Sequence, residues 1–198
     1  FGIERKKVTF PEGFTAKQMA DRLAATFPGF DTTLFMTLAK GSEGYLFPDT
    51  YTFFPSVTPD VVVAILKRNF VEQLVPLEQR ILTSGRKRAD IITMASIIEK
   101  EADSADEMPI IAGILWKRFD KGMPLQVDAP FLYTLGKSSS ELTRKDLTSN
   151  SPYNTYRNKG LPPTPISNPG IDAITAAISP TDSPYWYYLH DSDGVIHY

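Results

Sequence analysis

The apolar positions of the chain fall into short periodic runs separated by polar turns. VTF at 8–10 reads as a short strand. PEGFTAKQMADRLAATF follows, with Thr15 placed to cap a helix that aligns Met19, Leu23 and Phe27 on one face. A second short helix is predicted over 32–40, with Leu34, Phe35 and Leu38 apolar. EGYLFPDTYTFFP at 43–55 reads as extended and aromatic, interrupted by Pro48. Pro59 opens a helix carrying Val62, Ile65, Leu66 and Phe70, which runs toward residue 84 with a break near Pro76. IITMASIIEKEAD then forms a helix for which Asp90 or Ser84 is the expected cap. A further helix over 107–120 turns Ile110, Ile111, Ile114, Leu115 and Phe119 inward, with Gly122 as its stop signal.

Beyond that point regular patterning fades. Residues 123–170 are rich in Pro, Gly, Asn and Tyr, a long irregular segment of the kind that is functional when it is ordered. IDAITAAI at 171–178 is a short helix. YWYYLH and GVIHY, joined through DSDG, read as a terminal antiparallel pair in which YWYYLH is a core strand. Strands and helices are segregated rather than alternating, so the fold class is α+β, a mixture of helices and antiparallel strands.

The run IITMASIIEKEAD poses the chemical question, because it ends on acid, base, acid. At about 100° per residue, Ile91, Ile92, Ala95, Ile98 and Ala102 share one face, and Glu99 falls within that arc. Glu101 sits at its far edge and reads as a solvated flank residue. A carboxyl on an apolar face loses solvation, keeps its proton to higher pH and can act as a general acid. A half-exposed or ion-paired structural glutamate fits the same pattern, so both readings of Glu99 stay open.

Composition narrows the chemistry. A net charge of −2 leaves no basic footprint for nucleic acid. The absence of cysteine removes disulfides and thiolate chemistry. The two histidines, both in the terminal hairpin, lack metal-ligand spacing, so no metal is expected. No nucleotide or cofactor fingerprint occurs, and no cofactor is expected. VVVAIL at 61–66 is far short of the roughly 20 residues of a membrane span. A chain that opens on Phe1 is expected to have been cut or processed from a longer one, so a membrane anchor would lie upstream. What remains is carboxylate chemistry. Gln126 and Asp128 in LQVD would alternate to one side of a short strand and line a cleft. YNTYRNKG, from Tyr153, offers the aromatic, amide and hydroxyl groups that sugar sites use, and Asp49 in FPDTY is a substrate ligand or a turn residue.

VTFPEG at 8–13, EGYLFPDTYTF at 43–53, ASIIEKEA at 95–102, LQVDAP at 125–130 and SPYNTYRNKGLPPTPISNPG at 151–170 resemble, in this order, the endolytic murein transglycosylase family (MltG or YceG-like). The resemblance implies an enzyme that cuts the β-1,4 bond between N-acetylmuramic acid and N-acetylglucosamine without water, leaving 1,6-anhydro ends. It implies that Glu99, the first glutamate of EKE, is catalytic, acting as acid and then as base. Gln126, Asp128, Asn154, Thr155, Tyr156 and Ser96 are the candidates for holding substrate. It further implies a LysM-like module over 1–42, a catalytic domain over 43–198, glycan strands and peptidoglycan synthases as partners, and tethering outside the cytoplasmic membrane. A hydrolase using Glu99 with Asp128 or Asp49, and a non-catalytic glycan-binding module, are the alternatives.

Overall fold

The computed structural model describes residues 4–137, 141–191 and 193–198. Lys6–Thr9 (β1) and Thr50–Phe53 (β2) pair antiparallel with Val8 opposite Tyr51. Val8, Tyr51 and Phe53 point to the buried side of this ribbon. They meet Met19 and Leu23 of Ala16–Thr26 (α1), both fully buried on the face that the spacing predicts. Thr15 caps α1 through a reciprocal box: its hydroxyl accepts the Gln18 N–H, and the Gln18 side chain accepts the Thr15 N–H at 2.8 Å. Thr32–Leu38 (α2) is capped by Asp31 and buries Phe35, whereas Leu34 and Leu38 face outward, because two turns at the margin of this core offer one contact line.

This smaller core also takes Leu46, Tyr51, Phe53, Val62, Val63 and Leu66. It therefore crosses the boundary expected at 42 and includes β2 and the first half of Pro59–Leu74 (α3). A 3₁₀ turn at Val75–Leu77 breaks the run at Pro76 and leads into Glu78–Thr83 (α4).

The larger core is built around Arg88–Glu101 (α5), which packs on Met108–Asp120 (α6) and Ile171–Ile178 (α9). Every residue of α5 from Ile91 to Ile98 is buried. A helix enclosed on all sides has no single core face, so projection cannot say which flank of its last turn is dry. Neither expected cap is used. Lys87 stands at the N-cap with no side-chain bond, Ser84 closes the preceding turn onto the Ile81 carbonyl, and Asp90 lies in the first turn of α5. Gly113 lets α6 approach the chain after α9, since a Cβ there would lie 2.0 Å from the Thr181 carbonyl oxygen.

Two short helices lie in the irregular segment, Ala129–Leu135 (α7) and Arg144–Leu147 (α8). The strand expected at LQVD does not form. Pro124 makes a lone bridge to Lys159, and Gln126 turns into the left-handed region at φ 56°. The terminal pair is Leu189–His190 (β3) with Ile196–His197 (β4); Ser192 of the DSDG turn lies outside the described residues. A ribbon this short cannot bury the aromatics before it, so Tyr185, Trp186 and Tyr187 are exposed where a core strand was expected. Among the described residues no helix is long and apolar enough to cross a membrane.

Candidate active site

The C-terminal turn of α5 opens on a cavity of about 560 Å³ whose walls include Glu101, Arg118, Gln126, Asp128, Tyr156, Tyr187, Tyr188 and His190. Glu101 is the acid in this groove. Its Oε2 accepts the Tyr188 hydroxyl at 3.0 Å, and its Oε1 makes a longer contact of 3.4 Å with the Ala129 N–H. Burial raises its pKa above the ordinary carboxylate range. The two donors and His190 pull it down, and neighbouring Asp128 pushes it further up. The expectation of a solvated flank residue is thus overturned. What encloses Glu101 is not α5 but α7 and the terminal hairpin, which arrive from far along the chain.

The rest of the wall is braced by one buried cation. Arg118 is 3% exposed, and its guanidinium donates to the Pro124 carbonyl at 2.8 and 3.1 Å, to the Trp186 carbonyl at 3.1 Å and to the Gln126 side chain. Gln126 is the non-glycine residue with positive φ among those described, a conformation that costs energy and persists only when its surroundings enforce it. The Arg118 bond and the Gln126 N–H bond to the Thr155 carbonyl at 2.9 Å do so. Tyr156 donates its hydroxyl to Asp128 Oδ1 at 2.6 Å, and burial, with Asp128 beside it, keeps that phenol protonated. Gln126, Asp128 and Tyr156 therefore meet in one groove, although LQVD is not a strand.

Other expected site residues lie behind this wall. Asn154 is fully buried, with its Nδ2 donating to the Leu147 and Ser149 carbonyls. Thr155 bridges both main-chain groups of Val127 through its hydroxyl, at 2.6 Å to the carbonyl and 3.2 Å from the N–H. Ser96 Oγ donates to the Thr93 carbonyl and accepts the Ile166 N–H. In this arrangement the three shape the loops beneath the groove rather than reaching into it. Asp49 takes the turn role, accepting the Thr50 N–H and an Asn69 amide proton on the small ribbon.

Glu99 was expected at the groove and sits on a different flank. It is not among the cavity-lining residues. Its Oε2 accepts the Gly170 N–H at 2.9 Å, next to Glu12 of the N-terminal core and Asp172 of α9. Burial pushes its pKa up from 4.5 to about 7. The Gly170 N–H and Lys100 oppose this, while Glu12 and Asp172 add to it. A carboxyl raised in the fold contributes its full stability below pH 4.5 and loses it as pH rises through about 7. Glu99→Gln, which still accepts the Gly170 N–H, is therefore expected to change stability little near pH 4. At pH 8 it should raise it by up to about 3 kcal/mol. Urea denaturation at the two pH values checks this; equal effects at both would contradict it.

Sequence reasoning missed Arg118, Tyr188 and the placement of Glu101. An arginine between Trp116 and Phe119 on a helix with an inward apolar face was the available signal for the first. Nothing local signals the other two. Among the described residues no cluster of three or more acidic or histidine groups could hold a metal.

The chain matches a family model described as the YceG-like family over residues 2–198. It is 40% identical over 158 residues to a protein of Bacillus subtilis (strain 168) named endolytic murein transglycosylase, covering 78% of this chain and 43% of that protein. It is 34% identical over 162 residues to a protein of the same name from Streptococcus pneumoniae serotype 2, covering 79% of this chain and 29% of the relative. The chain thus spans less than half the length of these relatives. A crystal structure of a yceG-like protein from Listeria monocytogenes superposes with TM-score 0.87 at 32% identity, covering 96% of this chain and 72% of that one.

Proposed function

The chain belongs to the YceG-like family, and on that premise we propose that it is a peptidoglycan lytic transglycosylase whose acid–base group is Glu101. The single observation that carries this reading is Glu101, a protonatable carboxyl enclosed in a groove beside Asp128, Tyr156 and Tyr188. The relatives' shared name supports the substrate class, a glycan of alternating N-acetylmuramic acid and N-acetylglucosamine.

The proton sits best on Glu101 Oε1, whose contact to Ala129 is the weaker of the two. It passes to the glycosidic oxygen as that oxygen leaves C1 of muramic acid. The Asp128 carboxylate beside it is placed to favour the positive charge that develops at C1. Glu101, now ionised, accepts the proton of the sugar's own 6-hydroxyl as that oxygen closes on C1. One carboxyl serves twice because the nucleophile is tethered, and tethering gives it an effective concentration that water does not match. The LysM-like reading of the N-terminal part, a membrane tether upstream, a site of action outside the membrane and an association with synthases belong to the same proposal.

Digestion of purified sacculi followed by mass spectrometry tests it, with 1,6-anhydro ends expected and no new ends contradicting it. Asp128 beside Glu101 favours one second reading, a hydrolase with two groove carboxylates, which would leave reducing ends instead. The pH profile carries a further expectation. Glu101 must enter protonated, so turnover falls as pH rises through its raised pKa. Tyr188→Phe removes a donor that favours the ionised form and should move that alkaline limb upward. A limb that stays in place or moves to lower pH would contradict this role for Glu101.

A further inference from the structure

The groove continues past the acid. A second cavity, of about 590 Å³, shares Lys100, Ala129 and Leu132 with the first. The two differ in chemistry. The first is walled by tyrosines, which suit the apolar faces of sugar rings. The second has Tyr133 alone, and its hydroxyl is directed to Glu43 at 3.3 Å. Its distinguishing groups are cations, Lys17, Lys100 and Lys137. Lys17 pairs with Asp21 and Lys137 with Asp146, while Lys100, at the junction of the cavities, has no ion pair or hydrogen bond among the described residues. The facing acid is Glu43, whose oxygens accept the Ala16 N–H, the Asn168 amide and the Tyr133 hydroxyl, and whose charge burial disfavours.

We propose that this second cavity receives the carboxylate-bearing peptide stem of the muramic acid whose bond Glu101 cleaves, with Lys100 as the first contact. The inference rests on the transglycosylase reading and adds a substrate requirement to it. Muramic acid carries its stem as a side branch, so a ring seated at Glu101 must send that branch out of the sugar groove. Lys100, adjacent to Glu101 and on both walls, marks the exit. Beside the one amide and one tyrosine that a sugar could use, Gln18 and Tyr133, the cavity gathers three lysines around a single acid, Glu43. The hydrogen bonds of Glu43 are taken by Ala16, Asn168 and Tyr133, and that excess of cations suits a carboxylate-bearing branch.

The test compares kcat/KM on matched glycan strands with intact stems, with stems removed by an amidase, and with stem carboxylates amidated. Wild type is expected to prefer intact strands over both others by about tenfold. The triple variant Lys17→Gln, Lys100→Gln, Lys137→Gln should bring that ratio to within about twofold of unity. Equal cleavage of all three strands by wild type would overturn the inference while leaving the transglycosylase reading standing. So would a triple variant that loses the same factor on every strand, and cleavage of no strand by wild type would remove both.

Discussion

Glu101→Gln is expected to lower turnover by about a thousandfold, the order of effect of losing a positioned acid–base group. Gln keeps the volume of Glu, and its single carbonyl oxygen can still accept the Tyr188 hydroxyl at the loss of only the long Ala129 contact, so the groove should keep its shape. What it cannot do is give a proton to the leaving oxygen or take one from the 6-hydroxyl. KM on glycan strands is therefore expected to stay within a few-fold while kcat collapses. Glu99→Gln is the matched control. Its carboxyl bonds Gly170 at the seam between the two cores, and its loss should leave turnover within about threefold. Initial rates of anhydro-product release by the two variants check this. The reverse order, with Glu99→Gln inactive and Glu101→Gln active, would return the chemistry to the first glutamate.

The second large effect concerns the seam. Asn168, fully buried, accepts the Gly44 and Leu46 N–H groups on Oδ1, each at 2.9 Å. Its Nδ2 donates to the Phe14 carbonyl at 2.9 Å and to Glu43 at 2.7 Å, and its main chain exchanges bonds with Gly13 and Phe14. One amide thus ties the N-terminal core to the loop before α9 and also steadies Glu43 on the wall of the second cavity. Asn168→Ala leaves two N–H groups, a carbonyl and a carboxyl without this partner, at a cost of about 3–4 kcal/mol. For a chain of 198 residues that is a fall in Tm of about 6–16 °C. Asn168→Asp keeps the acceptor but sets a second carboxyl against Glu43, so it should be poor at neutral pH and recover partly in acid. Thermal melts of both variants at two pH values check this; a fall of under about 2 °C for the alanine variant would contradict it.

Local rules in the sequence were enough for the parts that depend on neighbours along the chain. The Thr15 box, the face of Met19 and Leu23, the Pro59 start, the break at Pro76 and the α9 helix all follow from short-range spacing and capping. The site depends on long-range closure and was only partly legible. Gln126, Asp128 and Tyr156 were recognisable as groove residues by type, yet what brings them together is a left-handed turn braced by Arg118, not an alternating strand. Asn154, Thr155 and Ser96 are polar in a way that suggests substrate, but burial commits them to the main chain. The EKE pair was legible by half: the desolvation expected of Glu99 is there and raises its pKa to about 7, whereas the enclosure of Glu101 was not foreseen. A one-sided projection assumes a helix at the surface, and α5 from Ile91 to Ile98 is buried all round, so Glu101 on the other flank of its last turn is enclosed as well, by Tyr188 and Ala129.

Cleavage of uniform glycan strands in oxygen-18 water, read by mass spectrometry of the new ends, tests the central claim most directly. A single groove carboxyl working with the sugar's own 6-hydroxyl predicts anhydro ends that carry no heavy oxygen. Reducing ends labelled at C1 would mean that water is the nucleophile, with Asp128 sharing the work, and would contradict the account.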